Sequence, residues 1–155
     1  MRLYILMLLI FAADTFAAAS ETLYNIDQDT AFINISKINK QIIVNLKYSG
    51  DDNIFNEDVY GDFHSCYLGK DAALKLDKAQ MMLDEKKPGY RIVVYDGLRP
   101  RDVQYKMWYL VKGTDKENYV SDPGMGSFHN FGAAVDCTIM DEKGNILDMG
   151  APFDH

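Results

Sequence analysis

Ser127-Phe128-His129-Asn130-Phe131-Gly132-Ala133-Ala134-Val135-Asp136 is the stretch on which the reading of this chain turns. His129 precedes a glycine, which lets the backbone turn tightly and approach another group. Small residues follow, and Asp136 falls inside an alternating run, Ala133 to Met140, that reads as a strand. On a period of two, Ala134, Asp136 and Thr138 face one side and Val135, Cys137 and Ile139 the other. An acid flanked by small Ala134 on its own face has room beside it for an ion. One imidazole and one carboxylate converging there form half of a zinc site. The competing reading is a core histidine capping a turn, with an acid beside a hairpin. Ser127 either bonds a ligand or caps the turn, and turn chemistry favours the cap.

Downstream, Asp141-Glu142-Lys143-Gly144-Asn145 is a turn and Ile146 to Met149 a return strand, which predicts a β-hairpin. Upstream, a polar loop from Lys112 to Gly126 follows a helix that Pro100 opens and that runs to about Val111, with Val103, Met107 and Leu110 on its inner face. Trp108 reads as packing of that helix. Asp96-Gly97 turns the chain after a buried strand, Arg91 to Tyr95. Asp71 to Lys86 is a helix with Ala72, Ala73, Leu76, Ala79 and Leu83 on one face, ended by Pro88-Gly89. Ile42 to Tyr48 reads as a strand and Asn56 to Phe63 as loop. Strands and helices in mixed order predict an α+β fold, an antiparallel sheet with flanking helices.

The 155 residues carry 16 basic and 23 acidic side chains, a formal charge of -7. With no basic run, a nucleic-acid partner is excluded and attraction to anionic lipid is weak. Residues 1–19 have the layout of a secretory signal peptide: Arg2, an apolar run from Leu3 to Ala13, and small residues before a cut between Ala19 and Ser20. The apolar run is too short to span a bilayer, and no later stretch is long enough. The expected product is a secreted or periplasmic chain, residues 20–155, forming one domain. Export makes Cys66 and Cys137 candidates for a disulfide, and their spacing does not decide whether they pair.

The opening stretch matches S-x-H-x-x-G-x-A-x-D, the pattern of the D-alanyl-D-alanine metallopeptidases. Average residue frequencies make a chance match at five fixed positions rarer than about one in a thousand in such a chain. Asn45-Leu46-Lys47-Tyr48, Cys66-Tyr67-Leu68, Tyr95-Asp96-Gly97-Leu98-Arg99-Pro100 and Asp148-Met149-Gly150-Ala151-Pro152-Phe153-Asp154 follow the same order. From about Ile42 to its end the chain resembles the D-alanyl-D-alanine dipeptidases, the family that includes the vancomycin-resistance dipeptidases. The resemblance implies a zinc fold shared with other D-alanyl peptidases and hedgehog-like modules. It implies one Zn2+ per complete enzyme and hydrolysis of D-Ala-D-Ala or a related small D-alanyl dipeptide of the cell wall. It makes His129 and Asp136 zinc ligands, and Arg99 the cation that stabilises charge developing on the scissile carbonyl. Arg is always charged, and Pro100 restricts the backbone beside it. The bland alternative for Arg99 is a surface salt bridge.

The family places its third ligand, a histidine, and its general base, a glutamate, in a segment E-x-x-W-x-H. This sequence contains no match. His155 and His64 are weaker candidates for the third ligand, and Cys137 should face away from Asp136. The expectation is therefore a dipeptidase-like domain lacking its C-terminal segment and inactive as it stands. The alternatives are a non-catalytic remnant that binds metal or wall fragments weakly, and a D-alanyl-D-alanine carboxypeptidase acting on longer wall peptides.

Overall fold

Ile92, Val93 and Val94, β-branched and all buried, make Arg91–Asp96 the strand around which the other elements gather. A computed structural model describes Asp29 and residues 31–154. The signal-peptide reading of residues 1–19 and His155 as a candidate ligand both lie outside the described residues. In chain order the elements are β1 (Phe32–Asn34), α1 (Ile35–Ile38), β2 (Ile43–Val44), β3 (Tyr67–Gly69), α2 (Lys70–Lys86), β4 (Arg91–Asp96), α3 (Arg101–Val111) and β5 (Asp136–Met140). Single 3-10 turns occupy Lys47–Ser49, Glu117–Tyr119 and Phe128–Phe131. Among the described residues no helix is long and apolar enough to cross a membrane.

The architecture is α+β, as the mixed order of elements predicts, but the sheet is not wholly antiparallel. β4 is central in a three-stranded sheet ordered β2-β4-β5, antiparallel to β5 and parallel to β2. Parallel pairing needs a long crossover. The chain between Val44 and Arg91 supplies it, carrying β3 and α2 on the way. β3 pairs instead with β1 in a separate antiparallel ribbon. The strand expected over Ile42 to Tyr48 is short, because after Asn45 N–H donates to Val94 O (2.9 Å) the chain tightens into the Lys47–Ser49 turn. The strand expected from Ala133 begins only at Asp136, since Ala133 N–H closes the preceding turn on Phe128 O at 3.0 Å. The expected return strand shrinks to one bridge, Met140 to Ile146. The Asp148 carboxylate then accepts Gly150 N–H at 2.8 Å, a side-chain bond that competes with the ladder.

Leu68, Ile35, Ala73, Leu76, Ile92 and Val94 form the centre of the core between α2 and the sheet. Each long helix also turns a glutamine inward, which apolar periodicity misses. On α2 the inner residues are Ala73, Leu76 and Gln80, while Ala79 is exposed. Gln80 accepts Ile92 N–H at 2.7 Å and donates to Tyr90 O at 3.0 Å, so it ties the helix to β4. On α3 they are Val103, Gln104, Met107 and Val111, while Leu110 is exposed. The spacing of 103, 107 and 111 keeps the apolar row on one face. Trp108, partly buried, belongs to this helix. Cys66 is buried and Cys137 exposed, and both thiols are free.

Two glycines allow segments to meet closely beside β3. A Cβ on Gly97 would stand 2.7 Å from Cys66 Sγ and 2.8 Å from Tyr67 O. Gly132 has φ of 61° and ends the Phe128–Phe131 turn, and a Cβ there would stand 2.6 Å from Gly69 N. That nitrogen donates to Gly132 O at 2.9 Å, so the backbones touch. Gly132→Ala should therefore lower stability by about 2 kcal/mol or more, from the positive φ and the clash together. Urea unfolding of the two proteins measures it, and an unchanged midpoint would contradict the close approach.

Candidate metal centre

The register that ends the β4·β5 pair sets Asp96 opposite Asp136, after an irregularity between Val94 and Asp96. Beyond β4, Gly97 and Leu98 carry the chain past β3, where Leu98 N–H donates to Tyr67 O at 2.8 Å. Arg99 then meets the Phe128–Phe131 turn. Arg99 N–H donates to His129 O at 2.9 Å, and Asn130 Nδ2 donates to Arg99 O at 3.0 Å. Ser127 acts as the cap: its Oγ accepts His129 N–H at 3.3 Å, and its own N–H donates to Asn130 Oδ1 at 2.9 Å. Arg99, His129 and Asp136 are thus brought together, whereas exposed His64 and Cys137 take no part in the cluster.

His129 has two differently engaged nitrogens. Nδ1 lies 2.9 Å from Gly97 O and 3.4 Å from Asp96 Oδ2, while Nε2 lies 3.6 Å from Asp136 Oδ1. A carbonyl only accepts, so Nδ1 carries a proton toward Gly97 O, and Nε2 is the nitrogen turned to Asp136. Metal-binding histidines are held this way, by a bond from the nitrogen that does not bind the ion. Two donors on one tetrahedral zinc, each about 2.0–2.2 Å from it, stand about 3.4 Å apart. The 3.6 Å between Nε2 and Oδ1 fits that spacing. An imidazole with a carboxylate also suits a divalent cation chemically.

The titration of the pair points the same way. Burial pushes His129 toward the neutral form, but its bond to Asp136 and the charge of Asp96 outweigh this and raise its pKa. Burial pushes Asp136 up, yet the bond and charge of His129, with Arg99, pull it below the usual carboxylate range. Each partner favours positive charge between Nε2 and Oδ1, whether a proton or a metal supplies it.

Asp96 lies within 4.8 Å of the other two, but it is no third ligand. It is fully buried, and both its oxygens are engaged. Oδ1 accepts the Tyr60 hydroxyl and Gly97 N–H (2.9 Å). Oδ2 accepts Arg99 Nε at 3.1 Å and Arg99 Nη2. It also faces Nδ1 of His129, away from the nitrogen that faces Asp136. Asp96 is the counter-charge of Arg99.

Arg99 forms a buried salt bridge rather than the surface pair of the bland alternative, with only 7% of the residue exposed. Nη1 donates to Gln104 Oε1 at 2.9 Å, and Cζ stands 5.3 Å above the Tyr48 ring. Burial works against its charge, but Asp96 more than restores it, so the guanidinium stays cationic. Tyr48 donates in turn to Asp154 Oδ1 at 2.9 Å, and Asp154 Oδ2 accepts Ile54 N–H at 3.2 Å. Burial raises the Tyr48 pKa most, with Asp154 adding to it, so the hydroxyl keeps its proton. An open groove of about 1110 Å³ runs beside the site, lined by Asp136, Thr138, Tyr95, Asp154, Lys47 and Lys116 among others.

A sequence profile of the D-ala-D-ala dipeptidase family matches residues 28–155. The chain belongs to that family. A relative from Escherichia coli (strain K12), described as a D-alanyl-D-alanine dipeptidase, is 37% identical over 125 residues. The match covers 81% of this chain and 62% of the relative, so the chain spans about three fifths of the relative's length. Asp96, Tyr48, Tyr60, Gln104 and Asp154 are the site residues that sequence reading left unassigned. One signal was available: a buried arginine requires a counter-charge, and Asp96 stands three residues before Arg99.

A metal at this pair must displace the proton that His129 holds. Its pKa is raised above the ordinary 6.5, so protonation weakens metal binding from above that value downward. Below the His129 pKa, apparent Zn2+ affinity should fall about tenfold per pH unit. Asp136, held below its ordinary 3.8, adds a second proton only in stronger acid. Calorimetric titration with zinc from pH 8 to pH 5 reads this directly. Affinity that stays flat until well below pH 6.5 would contradict it.

Proposed function

We propose that this chain carries the metal-binding half of a zinc-dependent dipeptidase site for D-Ala-D-Ala or a related small D-alanyl dipeptide. The observation that supports the reading most is the pairing of His129 Nε2 with Asp136 Oδ1 at 3.6 Å beside a buried, permanently charged Arg99. The family match supplies the substrate class.

Zinc bound there would act as a Lewis acid and lower the pKa of a bound water to about 7. His129 would hold it through Nε2, with the ring's angle set by the Nδ1–H bond to Gly97 O. Asp136, at the start of β5, would hold it through a carboxylate kept ionised by His129 and Arg99. Arg99 would stabilise negative charge developing on the scissile carbonyl oxygen. Its value there lies in being fixed before the reaction begins, by Asp96, Gln104 and the Tyr48 ring. A dipeptide carries one ammonium and one carboxylate, and the groove is lined by Asp154 as well as Lys47 and Lys116. The leader-like composition of residues 1–19 supports an activity outside the cytoplasm.

In a chain that also carries an E-x-x-W-x-H segment, His129→Ala and Asp136→Ala should each abolish stoichiometric zinc uptake, measured by elemental analysis of purified protein. Full zinc occupancy in either would rule out the ligand assignment.

Two protein donors hold zinc loosely, since a catalytic site takes three. Among the described residues, Asp96 and Asp154 accept hydrogen bonds through both oxygens, which leaves neither free as a general base. General-base assistance is worth about 10²–10⁴ in rate. Residues 20–155 with zinc should therefore release D-alanine from D-Ala-D-Ala at least about 10²-fold slower than a chain that also carries an E-x-x-W-x-H segment. In that longer chain Arg99→Ala should lower kcat about 10²–10³-fold with zinc content unchanged. Equal turnover of the two chains would overturn the assignment of roles, and cleavage confined to longer wall peptides would indicate a carboxypeptidase.

A further inference from the structure

Arg99 can stabilise a developing charge only if its guanidinium is held in one rotation, and over the Tyr48 ring two hydrogen-bonding neighbours hold its edges. The guanidinium has two forked edges, Nε with Nη2 and Nη1 with Nη2. Asp96 Oδ2 takes the first through Nε at 3.1 Å and Nη2. A single carboxylate oxygen at one edge leaves the plane of the group free to rock about that contact. Nη1 is held separately, by Gln104 Oε1 at 2.9 Å.

Gln104 is itself fixed at both ends. Its Nε2 donates to Ser121 O at 2.7 Å, and the residue is 1% exposed. The orientation of the amide follows from chemistry alone. A guanidinium needs an acceptor and a backbone carbonyl needs a donor, so Oε1 must face Arg99 and Nε2 must face Ser121. Its backbone is held in the first turn of α3, where Gln104 N–H donates to Pro100 O at 3.1 Å. A neutral side chain also suits the place. Asp96 already neutralises Arg99, and a second carboxylate would leave surplus negative charge in the interior.

We propose that Gln104 is a positioning residue for Arg99: through Nη1 it sets the direction of the Nη1/Nη2 edge. The proposal rests on the catalytic role assigned to Arg99, but the orientation itself is measurable without zinc or turnover. Failure of one is therefore distinguishable from failure of the other.

The test is arginine-selective 15N NMR of the full chain, with the Arg99 signals assigned by their absence in Arg99→Lys. In the unaltered protein at low temperature, Nη1 and Nη2 of Arg99 should give separate resonances, because rotation about the Nε–Cζ bond, which exchanges them, is slowed by Asp96 and Gln104. In Gln104→Met, which keeps the volume and removes the acceptor, that rotation should quicken about tenfold or more and the Nη1 signal broaden or merge. Gln104→Glu retains an acceptor toward Arg99 and loses the donor toward Ser121, and should keep Nη1 resolved. Thermal unfolding run in parallel identifies a variant that does not fold, and Gln104→Glu then carries the test through its own Nη1 signal. A Gln104→Met spectrum like that of the unaltered protein overturns the proposal. So does loss of the Nη1 signal in both variants alike, which would mean that Gln104 serves only to anchor α3 to Ser121.

Discussion

The constraint on which the rest of this structure depends is the burial of a charged pair, Asp96 and Arg99. Taking two ions out of water is costly, and their mutual attraction offsets the cost only when the remaining polar atoms also find partners. The chain meets that condition from four separate segments. Tyr60 comes from the loop after β2, Gly97 N–H from the end of β4, Gln104 from α3 and the Tyr48 ring from the Lys47–Ser49 turn. Tyr60, held far above its ordinary pKa by burial and by Asp96, remains a donor throughout the accessible pH range. A pair satisfied from so many directions has one geometry, which is what a fixed cation beside a reacting group requires.

The same carboxylate reaches across to the candidate metal centre. Asp96 Oδ2 stands 3.4 Å from Nδ1 of His129, whose own bond goes to the carbonyl of the next residue, Gly97. The Arg99 backbone meanwhile holds the turn that carries His129. Cation and imidazole are therefore not independent: a shift of the β4 end moves both. The close contacts of Gly97 with Cys66 and Tyr67 explain why that end cannot carry a side chain at this point. Burial, helped by Asp96, pushes the Cys66 thiol up to about 12, so it stays protonated beneath the site.

Much of the candidate site was legible because its signals are local. His129 and Asp136 are seven residues apart in a single turn-and-strand unit, and Ser127 caps that turn within three residues. The partners of Arg99 were harder to see. Asp96 looked like a turn residue, since an aspartate before a glycine is common in turns. Gln104, like Gln80 on α2, gives no apolar signal, and polar residues on an amphipathic helix ordinarily face water. Only the burial of these amides against strands and charges reveals that they are structural.

The sequence by itself determined the two long helices, the buried strand after the first of them, the α+β class and the turn that presents His129. Each follows from periodicity, capping or turn chemistry acting over a few residues. Tertiary structure alone decided that β2 lies parallel to β4, that the Cys66 and Cys137 thiols are both free, and that Asp96 is enclosed as the counter-charge of Arg99. Asp96 and Asp136 are the same chemical group, forty residues apart in the chain and opposite each other at the end of one strand pair. Their different parts arise from what surrounds each: Asp96 is enclosed by donors from distant segments, while Asp136 keeps an oxygen turned toward the imidazole nitrogen. The enclosure of Asp96 depends on contacts between residues far apart in sequence, which no local pattern encodes.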